Sequence, residues 1–74
     1  MSIDAINKDK KILGQKLREI RQRKVMTQAE VAIKAGITVN YYARIERGEE
    51  NPSFDVIKAL TVSLKVKSSD FLPF

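Results

Sequence analysis

Residues 28–47 read QAEVAIKAGITVNYYARIER. Two short helix-forming runs are joined here through Gly36-Ile37-Thr38. Thr27 is a good N-cap for the first run, and Glu30, three residues on, completes a capping box. That run spans Gln28 to Ala35 and stops at Gly36, which accepts the left-handed conformation a helix end wants. Thr38 caps the second run, which continues to about Arg47 and ends at Gly48. Two helices joined so tightly must cross at a fixed angle, and that demand falls on particular positions. Ala32 lies midway along the first helix, where a larger side chain would push the pair apart. Ile37 and Ile45 plug the space between the helices, with Val31 and Ala35 opposite and Tyr42 on the same inward stripe.

Small, glycine and apolar residues at those positions predict a helix-turn-helix over 28–47. Working outward, Ile12, Leu13, Leu17 and Ile20 recur at helical spacing and predict a helix from near Asp9 to about Arg23. Residues 1–8 are then an N-terminal extension that either frays or lengthens that helix, ahead of a domain spanning 9–74. Beyond the motif, Glu49-Glu50-Asn51-Pro52 is a polar turn and Ser53 a cap for a helix carrying Phe54, Ile57, Leu60 and Leu64. Ser68 or Ser69 is expected to cap a last short helix holding Phe71 and Leu72, stopped by Pro73. No stretch alternates with period two. The reading is all-α, five helices in one compact unit.

The totals agree with a single small domain. Hydrophobic residues make up 43% of the 74 residues and charged residues 31%, an ordinary globular balance. There is no cysteine to staple the chain and no histidine to serve as general base or metal ligand. No phosphate-binding loop or carboxylate cluster appears, so an enzyme is not expected, nor a cofactor, metal or small-molecule ligand. No run is apolar enough to span a membrane and no signal-peptide core is present, which fits a cytoplasmic protein. The net charge is +5 and it is unevenly spread. Residues 1–26 carry eight Lys/Arg against three Asp/Glu, a net +5; residues 27–50 carry three against four, a net −1. A basic first helix reads either as a solvated face or as a surface for phosphates.

Subtracting the buried positions from the second helix of the motif leaves Thr38, Val39, Asn40, Tyr41, Ala43, Arg44 and Arg47. Asn40 and Arg44 sit one turn apart, with Val39 and Ala43 beside them. Asn pairs bidentately with adenine and Arg with guanine, while Val39 or Ala43 can touch a thymine methyl. A slim, partly cationic face of this kind suits the major groove of double-stranded DNA, with a recognition helix over about 39–47. The plainer alternative is that Asn40 and Arg44 are ordinary surface residues of a bundle.

At this point the sequence resembles the Cro and lambda-repressor-like helix-turn-helix family, also called the XRE family. The resemblance runs from about Ile12 to Leu72. It rests on Leu17-Arg18-Glu19-Ile20-Arg21, Met26-Thr27-Gln28-Ala29-Glu30-Val31-Ala32, Gly36-Ile37-Thr38, Tyr41 through Gly48, Asn51-Pro52-Ser53 and Leu64-Lys65-Val66. The short length and Phe-Leu ending are also similar to the controller proteins of restriction-modification systems. The resemblance implies a five-helix domain, a homodimer on a pseudo-palindromic operator, and a role in transcription regulation. It implies base contacts from Val39, Asn40 and Arg44, with Thr38 at the edge. Gln28, at the N-terminus of its helix, is expected to grip a phosphate. Tyr41, Asn51, Arg47 and Lys16 are expected as further contacts to the phosphate backbone. Arg21 and Glu46 match positions that often pair.

Three positions depart from the family pattern in local geometry. Val25 and Lys65 stand where glycine commonly follows a helix, and Thr61 stands where alanine is usual. Val39 is less polar than is common at its position, so the base preference there is open. Val62, Phe71, Leu72 and Phe74 exceed what so small a core needs and are expected to form a dimer patch. The other reading of Phe71 and Leu72 is that they close the core. Antitoxins and protein-interaction modules use the same fold and are the alternatives to a regulator.

Overall fold

The computed structural model describes residues 2–73 as four α-helices and a closing 3-10 turn. They are α1 (Ile3–Arg23), α2 (Gln28–Ala35), α3 (Val39–Glu46) and α4 (Phe54–Leu64), with the 3-10 turn at Ser68–Asp70. The class is all-α, as the sequence implies. Among the described residues, a 3-10 turn of three residues, Ser68–Asp70, stands where the fifth α-helix is expected. Neither Ser68 nor Ser69 caps that turn. Asp70 does so from inside, its carboxylate accepting the Lys67 N–H at 3.0 Å. Of the two readings of residues 1–8, fraying or lengthening of the first helix, the structure shows the second. The helix starts at Ile3 rather than Asp9, because the Ser2 hydroxyl accepts the Ala5 N–H at 3.2 Å and caps it.

The other starts follow the sequence signals. Thr27 and Glu30 form the reciprocal capping box at 3.0 Å each way. Thr38 accepts the Tyr41 N–H at 3.1 Å, and Ser53 accepts the Val56 N–H at 3.3 Å. The chain leaves each α-helix through a left-handed residue: Val25 (φ 55°), Gly36 (φ 73°), Gly48 (φ 76°) and Lys65 (φ 55°). Two of these are not glycine, and they are the two positions where the family pattern expects one. The Thr61 hydroxyl donates to the Lys58 carbonyl at 2.6 Å, so the polar atom is satisfied within its own helix.

The core takes Leu13, Leu17 and Ile20 from α1, Val31 and Ala32 from α2, Tyr42 and Ile45 from α3, and Leu60 and Leu64 from α4. Phe71 seals it from the chain end and is fully buried. Each large apolar side chain enclosed in this way contributes about 1.5–3 kcal/mol. Phe71 is therefore no part of a dimer patch, because no surface of it reaches solvent. Leu72 is half-buried against the same core, Val62 is 72% exposed, and Phe74 lies outside the described residues. One contact was not anticipated from sequence. Gly14, buried in α1, meets the end of α3 so closely that a Cβ would stand 2.5 Å from the Glu46 carbonyl oxygen. This approach presses the first helix onto the end of the third. Among the described residues, no helix is long and apolar enough to cross a membrane.

Candidate nucleic-acid interface

Helix α3 divides cleanly by burial. Tyr42, Ile45 and Glu46 point inward, while Thr38, Val39, Asn40 and Arg47 are exposed and Tyr41, Ala43 and Arg44 are half-buried. Val39 keeps 42% of its surface. The outward set holds amide, guanidinium, hydroxyl and small apolar groups, with no bulky aliphatic side chain in its way. Its chemistry therefore suits base edges, which need both hydrogen bonds and close apolar contact.

Below this face sits an open groove of about 800 Å³ between the start of α2 and the outward side of α3. Gln28, Val39, Arg47 and Arg18 line it, with Arg21 and Glu46 on the same wall. Gln28 and Arg47 thus meet at one concavity with Val39, the first residue of α3. Arg18 is not among the residues the sequence singles out, although it precedes Arg21 by three residues and so shares its helix face. Asn51 lies elsewhere, exposed beside an apolar cleft of about 250 Å³ formed with Ile6, Leu13, Ile57 and Leu72. Lys16 is half-buried on α1.

The groove is anchored by a two-pronged ion pair. Arg21 Nε and Nη2 donate to the two Glu46 carboxylate oxygens at 2.7 and 3.1 Å, and Arg21 Nη1 donates to the Met26 carbonyl at 3.0 Å. Gln28 Nε2 adds a third donor to Glu46 at 3.0 Å. One buried carboxylate therefore ties α1, the α1–α2 turn, the start of α2 and the end of α3 together. Burial alone would push the Glu46 carboxyl up. The Arg21 guanidinium, the neighbouring Tyr42 hydroxyl and the Gln28 amide outweigh it and hold the group below its ordinary value. The hydrogen bond to Glu46 in turn raises Arg21. Burial, followed by the adjacent Glu46, keeps the Tyr42 phenol protonated. The hydroxyl itself has no partner in good hydrogen-bonding geometry.

The outward cations have partners too. Arg44 Nη2 lies 2.6 Å from Glu50 and its Nε 4.0 Å from Glu49. Arg47 Nε donates to Glu49 at 2.7 Å. In the sequence these acids belong to a polar turn. Their spacing from Arg44, one to two helical turns on, was the signal available.

This arrangement matches proteins of known kind. A family model described as Helix-turn-helix matches residues 17–71. The chain is 38% identical over 64 residues to the control protein C.BamHI of Bacillus amyloliquefaciens, covering 85% of this chain and 79% of that protein. It is 35% identical over 57 residues to the immunity repressor protein of Bacillus phage phi105, covering 77% of this chain but only 40% of the repressor. The chain thus spans less than half the length of the phage protein. Among solved structures, the restriction-modification controller protein C.AhdI from Aeromonas hydrophila superposes with a TM-score of 0.84 at 31% identity, covering 86% of this chain and 97% of that one.

Proposed function

Because the chain belongs to the Cro and lambda-repressor-like helix-turn-helix family of DNA-binding regulators, we propose that it binds a pseudo-palindromic operator as a homodimer in the cytoplasm and regulates transcription there. The observation that carries this reading is the division of α3. Its core side holds Tyr42 and Ile45, which leaves Val39, Asn40 and the half-buried Arg44 facing outward with Thr38 at the edge.

In this reading α3 enters the major groove. Asn40 reads adenine, Arg44 reads guanine and Val39 meets a thymine methyl. Gln28, Tyr41, Arg47, Asn51 and Lys16 hold the sugar-phosphate backbone and set the register. Gln28 keeps one amide hydrogen for a phosphate oxygen, since its bond to Glu46 uses only one of two. The role is recognition and not catalysis. One short helix reads few base pairs, so two copies are needed for useful specificity. They would place their helices in successive grooves ~34 Å apart. Helix α4 leaves Phe54 79% and Val62 72% exposed, which supports pairing through that side together with Leu72. Likeness to a control protein and to a restriction-modification controller favours a controller role over that of an antitoxin.

Selection from random duplexes followed by gel-shift titration tests the whole reading. Enrichment of two half-sites about 10–10.5 bp apart is the expected result. Equal affinity for selected and unselected DNA would overturn it.

A further inference from the structure

The two outward cations of α3 are both engaged by the segment that follows the helix. Gly48 turns the chain in a left-handed conformation, and the Glu49 N–H then donates to the Arg44 carbonyl at 2.9 Å. This closure folds Glu49 and Glu50 back over the last turn of the recognition helix. Glu50 meets Arg44 Nη2 at 2.6 Å, while Glu49 holds Arg47 Nε at 2.7 Å and lies 4.0 Å from Arg44 Nε. The recognition surface therefore presents its cations already neutralised.

We propose that Glu50 is a specificity-determining residue, an intramolecular counterion that withholds Arg44 from phosphate and yields it to a correctly placed base. The inference rests on the DNA-reading role assigned to Arg44 above. A phosphate offers Arg44 one anion in exchange for another, and its approach also brings negative charge against the Glu50 carboxylate. Binding to arbitrary DNA gains little from that exchange. A guanine edge offers two acceptors on an uncharged base, so Arg44 gains a bidentate contact without bringing a further anion toward Glu50. The carboxylate thus weighs more heavily on random duplex than on the operator, which is how a repulsive element sharpens a preference.

Glu50→Gln in the full chain tests this, because glutamine keeps the length and an acceptor while removing the charge. Binding is measured on an operator obtained by selection and on a duplex of random sequence. Random duplex should be bound roughly three- to fivefold more tightly by the variant, the scale of one exposed ion pair. Operator affinity should rise less than random-duplex affinity, because releasing Arg44 from Glu50 costs both complexes alike while only a phosphate brings a competing anion toward Glu50. The salt dependence on random duplex should steepen by about one counterion. In an Arg44→Ala background the same change should give a smaller gain, only the relief of a carboxylate left without its partner. Glu19→Gln, on the exposed side of α1, supplies the baseline for losing one negative charge elsewhere.

Equal tightening on both duplexes, or an undiminished gain without Arg44, would reduce Glu50 to general repulsion and overturn the proposal. Loss of operator affinity alone would overturn it as well, by making Glu50 a support for Arg44. If the wild type discriminates between the duplexes and Glu50→Gln leaves both affinities unchanged, only this inference fails. If the wild type binds neither duplex, the DNA-reading function fails first. A thermal melt matching the wild type shows that the variant is folded.

Discussion

Gly14 of α1 and Glu46 of α3 touch backbone to backbone, with room for no side chain between them. A methyl group at position 14 would lie 2.5 Å from the Glu46 carbonyl oxygen and also crowd the carbonyl of Ile45. Neither oxygen can move aside without opening the end of α3. Gly14→Ala should therefore destabilise the domain by about 1–3 kcal/mol, the usual range for overpacking, despite the better helix propensity of alanine. Thermal unfolding followed by circular dichroism measures this. A variant that melts at or above the wild-type temperature would show that the two helices are not in contact there.

This contact also marks the limit of what the sequence reveals. The apolar period in α1 identifies Leu13, Leu17 and Ile20, but a glycine beside them looks like an ordinary interruption of a helix. Its meaning depends on a backbone 31 or 32 residues away, and no local pattern carries that. The motif over 28–47 was legible because its caps, turn and crossing lie within one short stretch and each has its own residue signature. The same holds for the outward set on α3, found by subtracting the inward stripe. Phe71 was ambiguous because an aromatic residue near a chain end serves a core or an interface equally well. Glu49 and Glu50 passed as a solvated turn because pairing with Arg44 and Arg47 depends on the direction in which Gly48 turns the chain.

Glu46 links folding to pH. Its folded-state carboxyl titrates below the ordinary value of 4.5. The unfolded chain therefore binds more protons in that window, and stability rises with pH through it. The contribution is fully present above about 4.5 and is lost as pH falls through the folded value. Glu46→Gln should cost about 1–3 kcal/mol at neutral pH, because it breaks charged hydrogen bonds to Arg21. Its deficit relative to wild type should shrink in acid, since the wild type loses the same interaction on protonation. Denaturant midpoints for both proteins between pH 7 and pH 3 give the comparison. A deficit that stays constant across the range would mean that Glu46 does not carry the effect.

Val25 holds φ at 55° while 89% exposed. A β-branched residue in the left-handed region carries a steric cost of roughly 1–2 kcal/mol, and here no packing offsets it. Val25→Gly removes that cost at the expense of some added freedom in the unfolded chain. The net expectation is a gain of about 0.5–1 kcal/mol, or a melting temperature several degrees higher. Lys65→Gly, at the same φ after α4, should move the same way. Lower melting temperatures in both variants would contradict the left-handed helix ends.

Arg44 carries the most direct test of base reading. Arg44→Ala should weaken operator binding by about 1–3 kcal/mol and relax the preference at one base position in each half-site. The comparison with random duplex is less simple than for an unpaired arginine, because removing Arg44 leaves Glu50 without its 2.6 Å partner and adds an uncompensated negative charge near the DNA. Some loss on random duplex is therefore expected from charge alone. Arg44→Ala combined with Glu50→Gln removes both charges together and should recover only part of the random-duplex loss while leaving the operator defect in place. Asn40→Ala provides the parallel case without a charge change, and it should relax a different base position. Base preferences that remain unaltered in both variants, whatever the affinity, would place Arg44 and Asn40 on the phosphates and leave sequence to be read elsewhere.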